Sequence, residues 1–361
     1  MVCRIDIKIG FMIKKSIASH VVSIGCSNKN NPKGGIGQVL YCYEQYVFEE
    51  FNFVTISRKS NIWNNIALFI RGLFNFLFTL LFKRKIKIVH IHTSQRRSFV
   101  RSNVFMTLAK VFKKKLVLHI HGGGFRDYYY EKPDFVTRCL KKCDVIVVLS
   151  EEWKNFLKSV GFDSVVVENI ITEPVMREVP EDDKVHLLFL GLITKLKGIY
   201  DLVEVIAEHK DEFRGKMLLH VGGNGEVDVL KKKIKDLEVE ELVKFEGWVS
   251  KDKKIELMNK CKVFILPSYV EGLPLSILEA MSYNMAIIST RVGGIPSIVE
   301  DQINGLLFEP GDKDSIYSSV KLLVFNKQLL LSMSKDNSQK IGDFYPDNVA
   351  NKLEYIYTTL L

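Results

Sequence analysis

The chain has 361 residues, 47% of them apolar and 26% charged, with a net charge of +9. That is enough apolar material for a buried core, and length for about two domains. It excludes a cysteine metal cluster: the six cysteines, at 3, 26, 42, 139, 143 and 261, form no CxxC pair and read as free thiols of a reducing compartment, with Cys139 and Cys143 on one helix face.

The opening MVCRIDIKIGFMIKK lacks the run of about 7–15 apolar residues that a secretion signal needs, so the expected location is the cytoplasm. The charge is uneven. Residues 1–175 hold 27 Lys and Arg against 13 Asp and Glu, a balance of +14, while residues 176–361 hold 24 against 29, a balance of −5. A basic first half suits nucleic acid or an anionic membrane surface. Its basic residues are interspersed with apolar ones and no recognition module is visible, which argues against nucleic acid.

In chain order, VVSIG (21–25) reads as a strand, followed by the polar loop SNKNNPK (27–33) and GGIGQVL (34–40). Glycines there let a backbone approach a ligand, and N–H groups at a helix start attract anions, although a glycine turn without a ligand looks the same. Residues 62–82, IWNNIALFIRGLFNFLFTLLF, are long enough to span a bilayer. Asn64, Arg71, Asn75 and Thr79 fall on one stripe, and a central Arg71 would cost about 2.5–3.5 kcal/mol in lipid. A helix packed on the first domain is expected, ahead of one lying in the membrane interface and of a true span. The cluster KRKIK (83–87) reads equally as a lipid contact or a solvated basic turn.

KIVHIH (87–92), KLVLHIH (115–121) and VIVVLS (145–150) are further strands. His90-x-His92 and His119-x-His121 each put two imidazoles on one strand face, a candidate metal pair better explained as cleft-lining strand ends. HGGG (121–124) has the look of a hydrolase oxyanion loop, but no G-x-S-x-G elbow accompanies it. ITEPVMREVPEDDK (171–184), with two prolines and an acid cluster, marks a domain boundary.

The second half repeats the pattern with HLLFLG (186–191), MLLHVGG (217–223), VKFEGW (243–248), VFILPS (263–268) and AIIST (286–290). Such near-continuous apolar runs fit strands buried on both faces of a parallel sheet. Lys197, in LFLGLITKLKGIYDLVEV, stands just before a helix, where a cation is unfavourable unless an anion joins it. HVGGNGE (220–226) does not fit the dinucleotide fingerprint. VFILPSYVEGLPLSILEAMS (263–282) gives strand, loop and helix, with Pro274 suited to the first helical position. Glu271 falls in the loop and Glu279 inside the helix, beside N–H groups ready for phosphate. An acid near an anion site is repelled unless it bonds hydroxyls instead, and a nucleotide sugar offers both. Asp312-Lys313-Asp314 reads as a helix cap rather than a metal motif.

EGLPLSILEAMS with its E-x7-E pair, RVGGIP (291–296), NGLLF (304–308) and the tail DNVANKLEYIYTTLL resemble retaining glycosyltransferases of family 4. The likeness is densest over 186–312. It implies the GT-B fold: two doubly wound α/β Rossmann-like domains facing across a cleft, at 1–175 (acceptor side, membrane contact) and 176–345 (nucleotide-sugar side), with a C-terminal helix, 346–361, returning to the first. It implies a metal-independent hexosyltransferase with no cofactor, taking a UDP- or GDP-sugar donor and a saccharide or lipid-linked oligosaccharide acceptor in capsule or exopolysaccharide synthesis. The enzyme would be cytoplasmic and peripheral on the inner membrane face.

By the same resemblance Glu271 touches the donor sugar, Glu279 binds the ribose and Lys197 neutralises the diphosphate. Gly35 and Gly37 contact phosphate, His121 orients sugar or acceptor, and Gly247 and Trp248 meet the base. Gly222, Gly272, Leu273 and Pro274 complete the donor set. Catalysis then falls to Glu271, His121 and Lys197, by positioning and charge stabilisation rather than a protein nucleophile. One departure is Leu192, where the family carries arginine; Lys195 is the candidate replacement, as a point charge rather than a planar fork. A nucleotide-sugar epimerase of the same architecture and an inactive donor-binding partner subunit are the alternatives.

Overall fold

The computed structural model describes residues 11–26, 35–58, 62–180 and 182–361. The polar loop read at 27–33, Gly34 and Cys3 lie outside them. The chain divides into two compact units, Met1–Thr172 with Asp343–Leu361, and Glu173–Gly342.

The first unit holds a six-stranded sheet of β1 (Val21–Cys26), β2 (Phe53–Ser57), β3 (Ile88–Thr93), β4 (Lys115–Ile120), β5 (Val145–Val148) and β6 (Val165–Val166) in the order β2-β1-β3-β4-β5-β6. Every pairing is parallel. All six residues of β3 are buried, as expected for a strand covered on both faces. The covering helices bury one stripe each. In Glu151–Ser159, Ser150 caps the start, two glutamates face the helix dipole, and Trp153, Phe156 and Leu157 turn inward.

The Ile62–Phe82 helix is continuous for 21 residues. It packs on β2 through Gly72, whose backbone comes so close that an added Cβ would lie 2.6 Å from the Thr55 carbonyl oxygen. Phe76 and Phe69 meet Phe105 at 5.4 and 5.6 Å between ring centroids. The expected polar stripe does not hold together. Arg71 and Asn75 are exposed, whereas Thr79 is buried and donates to the Asn75 carbonyl at 2.8 Å. A membrane crossing is incompatible with this topology, because the strands on either side of the helix, β2 and β3, both pair with β1.

The second unit holds β7 (Val185–Leu190), β8 (Met217–Gly222), β9 (Val243–Gly247), β10 (Val263–Leu266), β11 (Ala286–Thr290) and β12 (Gly305–Phe308) in the order β12-β11-β10-β7-β8-β9, again all parallel. The strand order reverses between β7 and β10, and such switch points open the crevice where α/β sheets bind ligands.

The final helix, Pro346–Leu360, belongs to the first unit. Its Tyr357 is fully buried beside Phe48 and His90, and Lys352 bonds Glu168 at 2.5 Å. The five described cysteines are free; Cys139 lies in the Pro133–Leu140 helix and Cys143 beyond its end, so they do not share a helix face.

Candidate active site

At the switch point of the second unit, the loops after β7 and β10 meet. The first carries a single 3₁₀ turn, Lys195–Lys197, and ends at Gly198, whose φ of +68° and closeness to the Pro267 carbonyl (1.9 Å from a built Cβ) admit only glycine. The Tyr269 N–H donates to the Leu196 carbonyl at 2.9 Å, tying the two loops together. Lys197 Nζ then donates to Glu271 Oε1, and Ser268 Oγ donates to the same oxygen at 2.8 Å. The cation that needed an anion has found one. With the Glu271 side chain only 9% exposed and that of Lys197 24%, the pair is shielded but reachable.

The RVGGIP segment supports Glu271 from behind. The Gly294 N–H donates to the Gly272 carbonyl at 2.5 Å. Gly293 has φ +54°, and a Cβ there would lie 2.1 Å from the Glu271 carbonyl oxygen. Gly293→Ala is therefore expected to cost about 1–3 kcal/mol and to dislodge Glu271. Thermal denaturation together with the donor KM checks this, and no change in either would refute it.

Leu273 is buried, and Pro274 is the N-cap of the Leu275–Ser282 helix rather than its first helical residue. Glu279 lies five residues into that helix. Lys254, from the Lys251–Lys260 helix, donates to both its carboxylate oxygens at 2.6 Å. A carboxylate has about four lone-pair sites, so room for a hydroxyl remains. Gly222 and Gly247 end β8 and β9. The Gly223 N–H joins the two strand ends by donating to the Gly247 carbonyl at 2.8 Å, and Trp248 is 48% exposed. Leu192 and Lys195 are both exposed on the β7 loop. Asp312 caps the Lys313–Phe325 helix by accepting from the Ser315 N–H at 3.0 Å.

The first unit holds the other expected residues. Gly35 opens the Gly35–Cys42 helix with no atom within 4 Å of a built Cβ, and Gly37 is buried one turn in. His121 follows β4 and shares a 3.0 Å hydrogen bond with His92, Nε2 to Nδ1. The four histidines form one stacked group, with His119 and His121 at 4.1 Å and His90 and His92 at 4.2 Å between centroids. Three of them do not line a strand-end cleft as expected: His90, His92 and His119 are 0–2% exposed, and His121, past the end of β4, is half-buried.

His90 Nδ1 meets the Tyr357 hydroxyl at 2.6 Å. Burial pushes the imidazoles of His90 and His121 down to about 3, with His121 adding repulsion at His90, and holds His92 and His119 well below their usual range. His90, His92 and His119 bring one nitrogen each within 4.8 Å of one another. Neutral imidazoles suit a metal, but the neighbours that orient them are a phenol and an imidazole rather than the carboxylate usual behind a ligating histidine.

Sequence reasoning missed Ser268, Lys254 and Gly293. Lys254 reaches Glu279 only across the fold, Ser268 bonds Glu271 three residues on without any distinguishing neighbours, and Gly293 stands in the RVGGIP motif with no role of its own. The doubled H-x-H pattern did point to the histidine group.

Residues 173–340 match the family described as Glycosyl transferases group 1. An uncharacterized glycosyltransferase of Methanocaldococcus jannaschii is 27% identical over 72% of this chain and 72% of its own length. An amylovoran biosynthesis glycosyltransferase of Erwinia amylovora is 24% identical over 57% of this chain and 54% of its own length. A solved structure of Anabaena HepE in complex with UDP-glucose superposes over 94% of this chain and 99% of that one, with a TM-score of 0.72 at 14% identity. That likeness is one of fold, the GT-B fold.

Proposed function

We propose that this chain of GT-B fold, whose residues 173–340 match the Glycosyl transferases group 1 family, is a glycosyltransferase that moves a hexose from a UDP- or GDP-sugar, with retention and without a metal, to a lipid-linked saccharide acceptor in surface polysaccharide synthesis. The observation that carries this reading is the Lys197–Glu271–Ser268 constellation at the switch point. A diphosphate entering there competes with Glu271 for Lys197 and frees the carboxylate to bond sugar hydroxyls. Departure of the diphosphate concentrates charge beside the ammonium, where a preorganised cation favours the transition state. Glu279 takes the ribose, and the Leu275–Ser282 helix start takes phosphate oxygens. Relatives named as transferases favour this over the epimerase alternative.

The test is a donor screen. A true donor at 100 times its Kd should raise stability by about 2.7 kcal/mol in thermal denaturation. Release of nucleoside diphosphate should then require an acceptor, and the anomeric configuration of the product decides retention. Sugar isomerisation without acceptor, or donor binding with no turnover on any acceptor, would replace the reading with the epimerase or the inactive partner.

Glu279→Ala should raise the donor KM roughly 10–100-fold with kcat nearly unchanged, the loss of charge-assisted hydrogen bonds made equally in ground and transition states. Initial-rate kinetics read the split, and an unaltered KM would remove Glu279 from the pocket.

A further inference from the structure

The Ile62–Phe82 helix is apolar on both sides. Opposite the face packed on the sheet, Trp63, Ile66, Ile70, Phe74, Phe78 and Phe82 stand 45–76% exposed along its whole length of about 30 Å. The adjoining Arg97–Val111 helix adds Val100, Val104 and Val111, at 38–69% exposure. A soluble chain rarely leaves so continuous an apolar strip uncovered.

The charge around the strip identifies what covers it. From residue 51 to residue 126 the sequence contains 15 Lys and Arg and not one Asp or Glu. Arg71 is exposed midway along the helix, and Lys83, Arg84, Lys85 and Lys87 are exposed just past its end. A second copy of this chain would bring the same acid-free, basic rim against itself, and like charges oppose that pairing. An apolar layer beneath a sheet of negative headgroups satisfies both features.

We propose that the exposed face of the Ile62–Phe82 helix lies flat in the interface of an anionic phospholipid bilayer, its aromatic and aliphatic side chains among the acyl chains and its basic rim on the headgroups. This extends the acceptor clause of the function proposed above, since a lipid-linked acceptor lies in such a surface. It is measured without donor or acceptor, so failure of the vesicle assay and failure of the transfer assay are separate results.

The experiment is co-sedimentation of the full chain with vesicles of phosphatidylcholine, with or without phosphatidylglycerol, at low salt and at about 0.5 M salt. Binding is expected on the phosphatidylglycerol vesicles at low salt, about tenfold or more weaker on neutral vesicles and in high salt. Phe74→Ser with Phe78→Ser, and separately Lys83→Glu with Arg84→Glu and Lys85→Glu, should each weaken it by a similar factor. All five residues are exposed, and circular dichroism confirms that folding survives. Trp63, 76% exposed, should shift its emission to the blue on binding, a change absent in Trp63→Phe. The proposal is overturned by no binding to anionic vesicles, by equal binding to neutral ones, or by serine variants that bind like the parent. A concentration-dependent dimer that Phe74→Ser dissociates, without vesicle binding, would overturn it in favour of self-association.

Discussion

Lys197→Ala is expected to lower kcat by about 10²–10³-fold while changing the donor KM only a few-fold. The ammonium already sits in a shielded position, fixed by Glu271, on a turn locked by Gly198. In the proposed reaction charge grows on the diphosphate as the bond to the sugar breaks, so the interaction is stronger in the transition state than with bound donor. Loss of such an interaction falls on turnover rather than affinity.

The exposed Lys195, on the same turn, is the internal comparison. Lys195→Ala should cost less than tenfold unless it supplies the charge missing at Leu192. Leu192→Arg should then raise donor affinity. Steady-state kinetics of the three variants decide it. A Lys197→Ala enzyme with parental kcat would place the departing phosphate elsewhere.

The second large effect is on stability, and it is acid-driven. His90, His92 and His119 are buried and neutral. The unfolded chain takes up a proton at each below about pH 6.5, and the folded chain does not until near pH 3 at His90. Stability is therefore complete above pH 6.5 and lost as pH falls toward 3.

At pH 5 the loss at His90 is about 2 kcal/mol, and His92 and His119, held low by the same burial, add to it in the same direction, against a usual total of about 5–15 kcal/mol. The melting temperature of the first unit should fall by about 4–8 °C from His90 alone between pH 7.5 and pH 5, and further with His92 and His119. In the second unit, burial also lowers His186 and His220, but Asp182 and Glu246 offset part of it, so the drop there should be smaller. His119→Leu should reduce the proton uptake on unfolding by about one, whatever it does to stability at neutral pH. A melting temperature flat across this range, or a slope unaltered in His119→Leu, would mean the group is hydrated and already titrating.

The sequence pattern revealed nine of the twelve strands among the described residues, because buried parallel strands are near-continuous apolar runs. The three missed are informative. β2, FVTIS, lies at a sheet edge with every second residue half-buried, so it alternates instead. β6 has two residues, too few to form a run, and β12, GLLF, opens on a glycine and reads only as part of the NGLLF motif. In the site, Lys197, Glu271 and Glu279 stood out locally, as residues whose charge is unexpected beside a helix start. Their partners did not. Lys197 and Glu271 are 74 positions apart and meet because β7 and β10 are neighbours despite the two strands between them in sequence. The exposed apolar side of the Ile62–Phe82 helix was hidden for another reason. Its composition is apolar all round, and only the packing tells which side the sheet has taken.

The helix that completes the first unit is drawn from residues 346–360, on the far side of the whole second unit in the chain. During synthesis, β1 to β6 are made before the second unit, yet the hollow that Tyr357 fills beside His90 and Phe48 stays open until residues 346–360 leave the ribosome. The second unit, contiguous from Glu173 to Gly342, can close on itself first. The unit begun first is thus the one completed second, and the half bearing the greasy, basic surface stays unfinished while the whole second unit is being made.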